Sequence, residues 1–220
     1  MRLILQHTAM AGALILSQTL ISKGRETGIS IAQHDTAPNT PRTGPCGRVR
    51  AECGDLPFLI KRDGTWMYRG SPIGRKELVC LFSSVIKRDE SGEYWLETPA
   101  ERGRIQVEDT PWLAVEMDWC QCASGPKQVL TFRTNVDQIV TAGPEHPIRV
   151  AHNALTCEPT PYIHVRDGDG AFPLEARIGR SVYYELVALA VPGCSGGRKC
   201  LGVWSSGVFF PLGDLPACGS

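Results

Sequence analysis

The residues with the most chemical potential are an arginine, a carboxylate and an amide that the sequence places on one face of a β-hairpin. Residues 112–119 and 128–135 alternate in the manner of paired strands. In the register that sets Val115 opposite Phe132, Glu116 and Arg133 are diagonal neighbours on the polar face, beside Asn135. Such a face could bind a carboxylate or phosphate, with Asn135 fixing its orientation, or it could form an exposed salt bridge, which is the simpler interpretation.

Two further arginines stand where helices are predicted to begin. Arg75 and Arg180 each follow an Ile-Gly pair and precede a helical pattern. Together with the free N–H groups of the first helical turn, these guanidinium groups could hold an anion. A positive charge opposes the helix dipole at this position, so pairing with a carboxylate or a main-chain carbonyl is the competing structural interpretation.

The sequence evidence for a nucleophile or for metal ligands is weaker than that for the arginine sites. Ser206 lies in VWSSGVFF, but Val203 stands where a nucleophile elbow needs glycine, so the segment predicts a turn between strands. His146 and His152 lack the spacing of a metal motif, and His164 lies in a predicted strand opposite no identifiable carboxylate. We therefore predict no catalytic residue, no metal and no cofactor.

Composition narrows the class of partner. The 220 residues include 23 basic and 23 acidic side chains, and the formal net charge is zero. Nucleic acid and anionic membranes attract proteins with a basic excess, so neither is expected as a partner. The nine cysteines show no zinc spacing. Reduced thiols in a cytoplasmic protein are the simpler expectation, with a Cys194–Cys200 disulfide as the alternative.

Residues 1–53 are predicted to form a flexible extension. The stretch 34–53 is rich in proline, threonine and glycine and has few apolar residues to bury. The apolar run 9–16 is shorter than the ~20 residues that cross a bilayer. No clear cleavage site follows it, so an export signal is only the alternative interpretation.

From residue 54 onward a pattern occurs twice. Arg-Asp-Gly at 62–64 and again at 166–168 predicts a turn, and Ile-Gly-Arg at 73–75 and at 178–180 precedes a helix at nearly the same spacing. Apolar residues recur with helical period after each motif. They are Leu78, Leu81, Phe82 and Val85 in the first helix, and Val182, Leu186, Leu189 and Ala190 in the second. The sequence thus predicts an α+β fold with a duplicated strand-turn-strand-helix element.

Several longer segments carry a family resemblance. RDGTW, GSPIGR, LFSSVIKR, WLETPAERGRI, VLTFRTNVD, IVTAGPEHPIRV and LGVWSSGVFFPLG resemble the bacterial family called domain of unknown function 1285, over residues 54–215. The resemblance implies two small packed subdomains, an N-terminal α+β part at 54–102 and a C-terminal part at 103–218. The second part is expected to be a pleckstrin-homology-like β-barrel or sheet with one helix. The resemblance also implies a cytoplasmic protein, and it implies no established activity.

Two functional hypotheses follow. The first is a non-enzymatic ligand- or peptide-binding module with a regulatory or signalling role, whose site lies between the subdomains. Its partner would be a small anionic ligand or a peptide, bound by Arg133, Glu116 and Asn135 with Arg75 or Arg180. The second is a hydrolase or transferase whose catalytic group, Ser206 or a histidine with an aspartate, is assembled only in the fold.

Overall fold

Three β-sheets and two helices make up the part of the chain that the computed structural model describes, residues 51–119 and 125–215. These residues belong to one compact unit, Pro41–Ser220. The predicted extension up to residue 50 and the tip of the predicted hairpin at 120–124 lie outside the described residues. Predominantly sheet with two short helices, the fold is of the α+β class predicted from the sequence.

The first sheet contains six strands in the order β3-β2-β1-β6-β5-β4. Their bounds are β1 Ala51–Ile60, β2 Trp66–Tyr68, β3 Ser71–Pro72, β4 Ile86–Arg88, β5 Tyr94–Glu97 and β6 Glu101–Val107. The central pair, β1 and β6, is parallel, and the other neighbours are antiparallel. Residues 51–53, which the sequence assigns to the extension, lie in β1 and pair with the start of β6. The predicted boundary between 102 and 103 falls inside β6.

The second sheet also has six strands, in the order β10-β11-β12-β7-β8-β9. The strands are β7 Trp112–Trp119, β8 Leu130–Thr134, β9 Ile139–Thr141, β10 Ile148–His152, β11 Pro159–Arg166 and β12 Leu174–Ile178. A third, antiparallel sheet follows, with β13 Val191–Ser195, β14 Arg198–Ser205 and β15 Val208–Asp214. The strand pair β12 and β7 is parallel.

Both predicted helices are present. The first helix is Lys76–Ser84 and the second is Arg180–Ala188. Phe82 is buried, and its ring lies 5.0 Å from the ring of Phe58 and 6.4 Å from that of Trp66. Leu81, on the same predicted stripe, is only half-buried. The first helix therefore contributes one aromatic anchor to the core of the first sheet.

The β7–β8 hairpin is present in a register two residues away from the predicted one. Met117 lies opposite Phe132, where the sequence pattern sets it opposite Leu130. The pairing is irregular between Ala114 and Glu116, which the alternation of side chains does not reveal. A slip of two residues keeps the side chains of β8 and those of Glu116, Met117 and Asp118 on their predicted faces. The irregularity reverses the prediction for Ala114, which alternation assigns to the polar face but which is fully buried, while Val115 is only half-buried.

The two Arg-Asp-Gly motifs occupy different backbone conformations. Gly64 has φ +82° and closes a tight turn in which its N–H donates to the carbonyl of Lys61 at 3.0 Å. Gly168 has no positive φ and begins a longer connection, in which an added Cβ would lie 2.3 Å from the carbonyl oxygen of Phe172. In both halves a strand, a turn and a second strand precede a helix, but the first half adds β3 before its helix and the turns themselves differ.

Strands β13 and β14 contain the two cysteines of the alternative disulfide, Cys194 and Cys200. On β13 and β14, Gly193 faces Cys200 and Cys194 faces Lys199. Cys200 is buried and Cys194 is exposed, and both are free, so the alternative disulfide is not formed.

Within residues 51–119 and 125–215, neither helix has the length and apolar character that a bilayer crossing needs.

Candidate functional site

The predicted polar face of the hairpin forms a closed salt-bridge cluster. Arg133 faces Glu116 directly and donates to both of its carboxylate oxygens, from Nε at 2.7 Å and from Nη2. Its Nη1 donates to Asp137 at 2.8 Å, and Lys76 Nζ donates to the same oxygen at 2.8 Å. Each nitrogen of the Arg133 guanidinium thus has a carboxylate partner.

Electrostatics in this salt-bridge cluster favour the ionised forms. The hydrogen bond from Arg133 holds the pKa of Glu116 below its ordinary value, and the hydrogen bond from Lys76, followed by that from Arg133, lowers the pKa of Asp137. Two cations balance two carboxylates. An added anion would have to displace one of these carboxylates, so the arrangement favours a structural role for the cluster.

Asn135 connects the first turn of the chain to β7. Its Oδ1 accepts the backbone N–H of Leu113 at 3.1 Å, and its Nδ2 donates to the carbonyl of Gly64 at 3.1 Å. Both ends of the side-chain amide are therefore engaged by the backbone. Asn135 positions two segments against each other, and its polar groups face protein.

The arginines at the helix starts lie apart from the salt-bridge cluster. Arg180 Nη2 donates to Glu158 Oε1 at 2.8 Å, with both side chains largely exposed. Arg75 is exposed, and its guanidinium makes no hydrogen bond or ion pair with the described residues. The structure thus brings Arg133 and Glu116 together and leaves Asn135, Arg75 and Arg180 in separate environments.

A different place on the chain has the dimensions of a ligand site. A cavity of about 490 Å³ is lined by residues of β1, β4, β5 and β6 and of the turns that adjoin them. We call it the β1–β6 cavity. Its lining residues come from the first sheet and its turns: Asp55, Leu56, Arg88, Gly92, Glu93, Tyr94, Arg104, Ile105, Gln106, Val107 and Asp109. Small-molecule sites are commonly ~300–1,000 Å³, so this cavity is of suitable size.

Arg88 is the distinctive cation of the β1–β6 cavity. Its Nε donates to the carbonyl of Gly92 at 3.1 Å and its Nη1 donates to that of Pro173 at 2.8 Å. The guanidinium carbon lies 4.8 Å from the ring centre of Tyr94 and 5.2 Å from that of Phe172. Arg88 forms no ion pair with any carboxylate of the described residues, and its Nη2 makes no hydrogen bond with them.

Tyr94 lies beside Arg88 on the same face of the sheet, since the two residues pair across β4 and β5. Only 7% of its surface is exposed, and within the described residues its hydroxyl has no hydrogen-bond partner. Burial raises the pKa of Tyr94, Arg88 opposes that shift, and the charges of Glu175 and Asp109 add to it. The phenol therefore stays protonated and can donate.

Other charges near the β1–β6 cavity have partners. Arg104 donates to both carboxylate oxygens of Asp55, at 2.6 and 3.1 Å. Arg149 donates to both oxygens of buried Glu175, each at 2.5 Å. Asp109 accepts the hydroxyl of Tyr162 at 2.9 Å. These contacts hold the groups around Arg88 in place. Among the described residues that line the cavity, Arg88 is the cation without a carboxylate partner.

The histidine and serine candidates have simple environments. His164 pairs with Glu175 across β11 and β12, so the expectation that His164 lies opposite no carboxylate is wrong. Its Nε2 also lies 3.0 Å from Asp167 Oδ1. Nδ1 of His164 is buried and has no partner within the described chain. Ser206 donates to the carbonyl of Ala142 at 2.9 Å and occupies the β14–β15 turn with Gly207, which confirms the predicted turn.

A turn signal in the sequence indicates that Arg88 and Tyr94 pair, although hydrophobic periodicity does not show it. Asp89 and Gly92 separate the two residues and favour a tight turn. In the structure the N–H of Gly92 donates to the carbonyl of Asp89, and Gly92 has φ +88°. This turn would have predicted a hairpin that sets Arg88 opposite Tyr94.

Together these features define an α+β protein with a mixed-charge cavity of ligand size in its first sheet. Comparison with protein families identifies it further. Residues 50–110 match "Domain of unknown function (DUF1285), N-terminal domain", and residues 111–212 match "Protein of unknown function (DUF1285), C-terminal domain". The chain belongs to the DUF1285 family.

Solved structures of the same family are similar to this chain. A DUF1285 family protein from Silicibacter pomeroyi DSS-3 is 44% identical, with a TM-score of 0.65, covering 76% of this chain and 84% of its own. One from Shewanella baltica OS155 is 26% identical, with a TM-score of 0.45, covering 61% and 92%. No curated protein matches the chain.

Proposed function

We propose that this chain is a non-enzymatic binding module that takes a small anionic ligand in the β1–β6 cavity. The observation that carries the proposal is the state of Arg88: it lines the cavity and has no carboxylate partner among the described residues. Tyr94 is buried with its ring centre 4.8 Å from the Arg88 guanidinium carbon, and its hydroxyl also has no partner there. A carboxylate that accepts from both groups would supply the missing charge and hydrogen bonds.

The position of the β1–β6 cavity supports a regulatory role. Arg88 donates to the carbonyl of Pro173, and the N–H of Asp169 donates to the carbonyl of Arg88 at 2.7 Å. The segment between β11 and β12 therefore rests on the residue that would bind the ligand. An anion at Arg88 would stabilise the arrangement of this segment, which is a means of signalling occupancy to a partner.

The finer architectural hypotheses are part of the same proposal. A pleckstrin-homology-like second part is compatible with a six-stranded sheet followed by one helix. A duplication is supported by the shared order of strand, turn, strand and helix in the two halves. The hydrolase or transferase alternative has less support, because Ser206 donates to a carbonyl and the His164 ring is hydrogen-bonded only to Asp167 among the described side chains.

Binding of simple carboxylates to single-residue variants tests the proposed site. Acetate, isocaproate, succinate and inorganic phosphate would be titrated against the full chain by calorimetry and thermal shift. We expect Tyr94→Phe and Arg88→Gln each to weaken carboxylate binding roughly 10- to 100-fold, the equivalent of one charge-assisted hydrogen bond. Lys87→Gln, at the exposed neighbouring position of β4, is the matched control and should bind as wild type does.

A second variant separates the β1–β6 cavity from the salt-bridge cluster. Arg133→Gln should leave carboxylate affinity unchanged, because the Arg133 guanidinium already has Glu116 and Asp137 as partners. Loss of binding in Arg133→Gln with normal binding in Tyr94→Phe would move the site to the hairpin face. A wild-type chain that binds none of the anions would overturn the proposed function.

A further inference from the structure

We infer that the ligand of the β1–β6 cavity is an α-amino acid with an apolar side chain, bound as its zwitterion. The inference rests on the proposed function, which supplies the carboxylate end, and extends it to the rest of the ligand. Two carboxylates and a set of apolar side chains in the same cavity carry the extension.

The carboxylates of Asp109 and Glu93 have unused acceptor capacity. Asp109 Oδ1 accepts from Tyr162, but the nearest cations to its Oδ2 are Arg177 Nη1 at 3.7 Å and Arg62 Nε at 3.9 Å. Both distances exceed that of a good hydrogen bond. An ammonium group with three N–H donors is suited to such oxygens.

Glu93 has the same property. Its Oε2 lies 3.9 Å from Arg104 Nη1, whose other nitrogens are taken by Asp55. Within the described residues the Glu93 carboxylate accepts no hydrogen bond. Within the described residues the β1–β6 cavity therefore has unused donors at Arg88 Nη2 and the Tyr94 hydroxyl, and unused acceptors at Asp109 Oδ2 and the Glu93 carboxylate.

This mixture of charges discriminates between ligand classes. A dicarboxylate would bring its second negative charge toward Asp109 or Glu93, and a simple amine would leave Arg88 without an anion. A zwitterion supplies a carboxylate to Arg88 and Tyr94 and an ammonium group to the carboxylates of Asp109 and Glu93. The remaining wall contains Leu56, Ile105 and Val107 together with Asp55, Arg104 and Gln106. Asp55 and Arg104 are paired with each other, so an apolar substituent would pack against the three apolar side chains.

Three ligands that share the branched apolar group of leucine test the inference by calorimetry on the full chain. Leucine carries both charges, isocaproate lacks the ammonium group and isopentylamine lacks the carboxylate. We expect leucine to bind about tenfold or more tightly than isocaproate, because one charged hydrogen bond contributes about that factor. Isopentylamine should bind most weakly, and valine, methionine and phenylalanine should fall near leucine.

The outcomes separate the inference from the proposed function. Equal affinity for leucine and isocaproate would overturn the inference and leave the anion site standing. Equal affinity for leucine and isopentylamine would contradict the anion site itself. If none of the apolar amino acids binds while acetate or phosphate does, the ligand class is wrong and the proposed function survives.

A variant of Glu93 provides an independent readout. Glu93→Gln should reduce the preference for leucine over isocaproate at least several-fold and leave isocaproate binding as in wild type. Asp109→Asn, whose amide oxygen can still accept from Tyr162, should act in the same direction. Glu185→Gln, an exposed change on the second helix, is the matched control. An unchanged leucine preference in both cavity variants would overturn the inference.

Discussion

At the scale of single residues, the arginines of this chain divide by the kind of partner they have. Arg133, Arg104 and Arg149 each bind a carboxylate through two nitrogens. Arg88 and Arg166 bind only backbone carbonyls and aromatic rings within the described chain. Burial lowers the pKa of Arg166. These two guanidinium groups, which bind carbonyls but no carboxylate, therefore lie at the contact between the two family domains.

The Tyr162–Asp109 hydrogen bond makes stability depend on alkaline pH. Burial, together with the hydrogen bond to Asp109, raises the pKa of Tyr162 to about 12, against about 10 in an unfolded chain. The folded state holds this proton more tightly, so the stabilisation is complete below pH of about 10 and is lost as pH rises toward about 12.

Tyr162→Phe removes this contribution. We expect the free energy of unfolding of the variant, measured with urea at a series of pH values, to lie a constant amount below that of wild type up to pH of about 10. Above that pH the two curves should converge, because the wild-type advantage disappears. Curves that stay parallel into the alkaline range would show that Tyr162 ionises equally in both states.

At the scale of elements, short-range sequence patterns were sufficient to predict the helices and several strands. They were not sufficient to predict which distant strands pair. The helical stripes found both helices, and alternation found β7 with its bounds. The parallel pairing of β1 with β6 joins segments about fifty residues apart and leaves no local signal. The β1–β6 cavity lies beside that pairing, which is why its residues escaped prediction. Arg88 in addition needs Pro173, a partner from the other domain.

The first helix provides a test of how the sequence pattern maps onto burial. Phe82 is buried against Phe58 and Trp66, while Leu81 is half-buried. Phe82→Ala should lower the free energy of unfolding by about 3–5 kcal/mol, the cost of removing a buried aromatic side chain and leaving a cavity. Leu81→Ala is the matched control and should cost clearly less. Equal losses, measured by chemical denaturation, would mean that both residues lie in the core.

At the scale of the whole molecule, several side chains link the two family domains, and three of them donate N–H groups to backbone carbonyls across the contact. Asn135 reaches Gly64, Arg166 donates to the carbonyls of Ser83 and Ile86, and Arg88 donates to Pro173. Each of these three links joins a side chain to a backbone group, which fixes the position of one segment relative to the other. The domains are thus coupled by directional contacts, and we expect them to unfold as one unit.

Asn135→Ala tests this coupling. The change leaves Gly64 and Leu113 without their side-chain partner, and we expect a loss of about 1–3 kcal/mol in the free energy of unfolding. Circular dichroism and tryptophan fluorescence should report one shared transition in wild type and in the variant. Asn153→Ala, which alters an exposed turn, is the control. Two separate transitions in wild type would contradict the coupling.

The central place of β1 in the first sheet has a consequence for synthesis on the ribosome. β1 emerges early, but one of its neighbours, β6, is made only when translation reaches residues 101–107. Until then the nascent chain carries β1 with one open edge, which is a template for unwanted strand pairing. A pause in translation before residue 101 would prolong that exposure, whereas a pause after residue 107 would let the sheet close first.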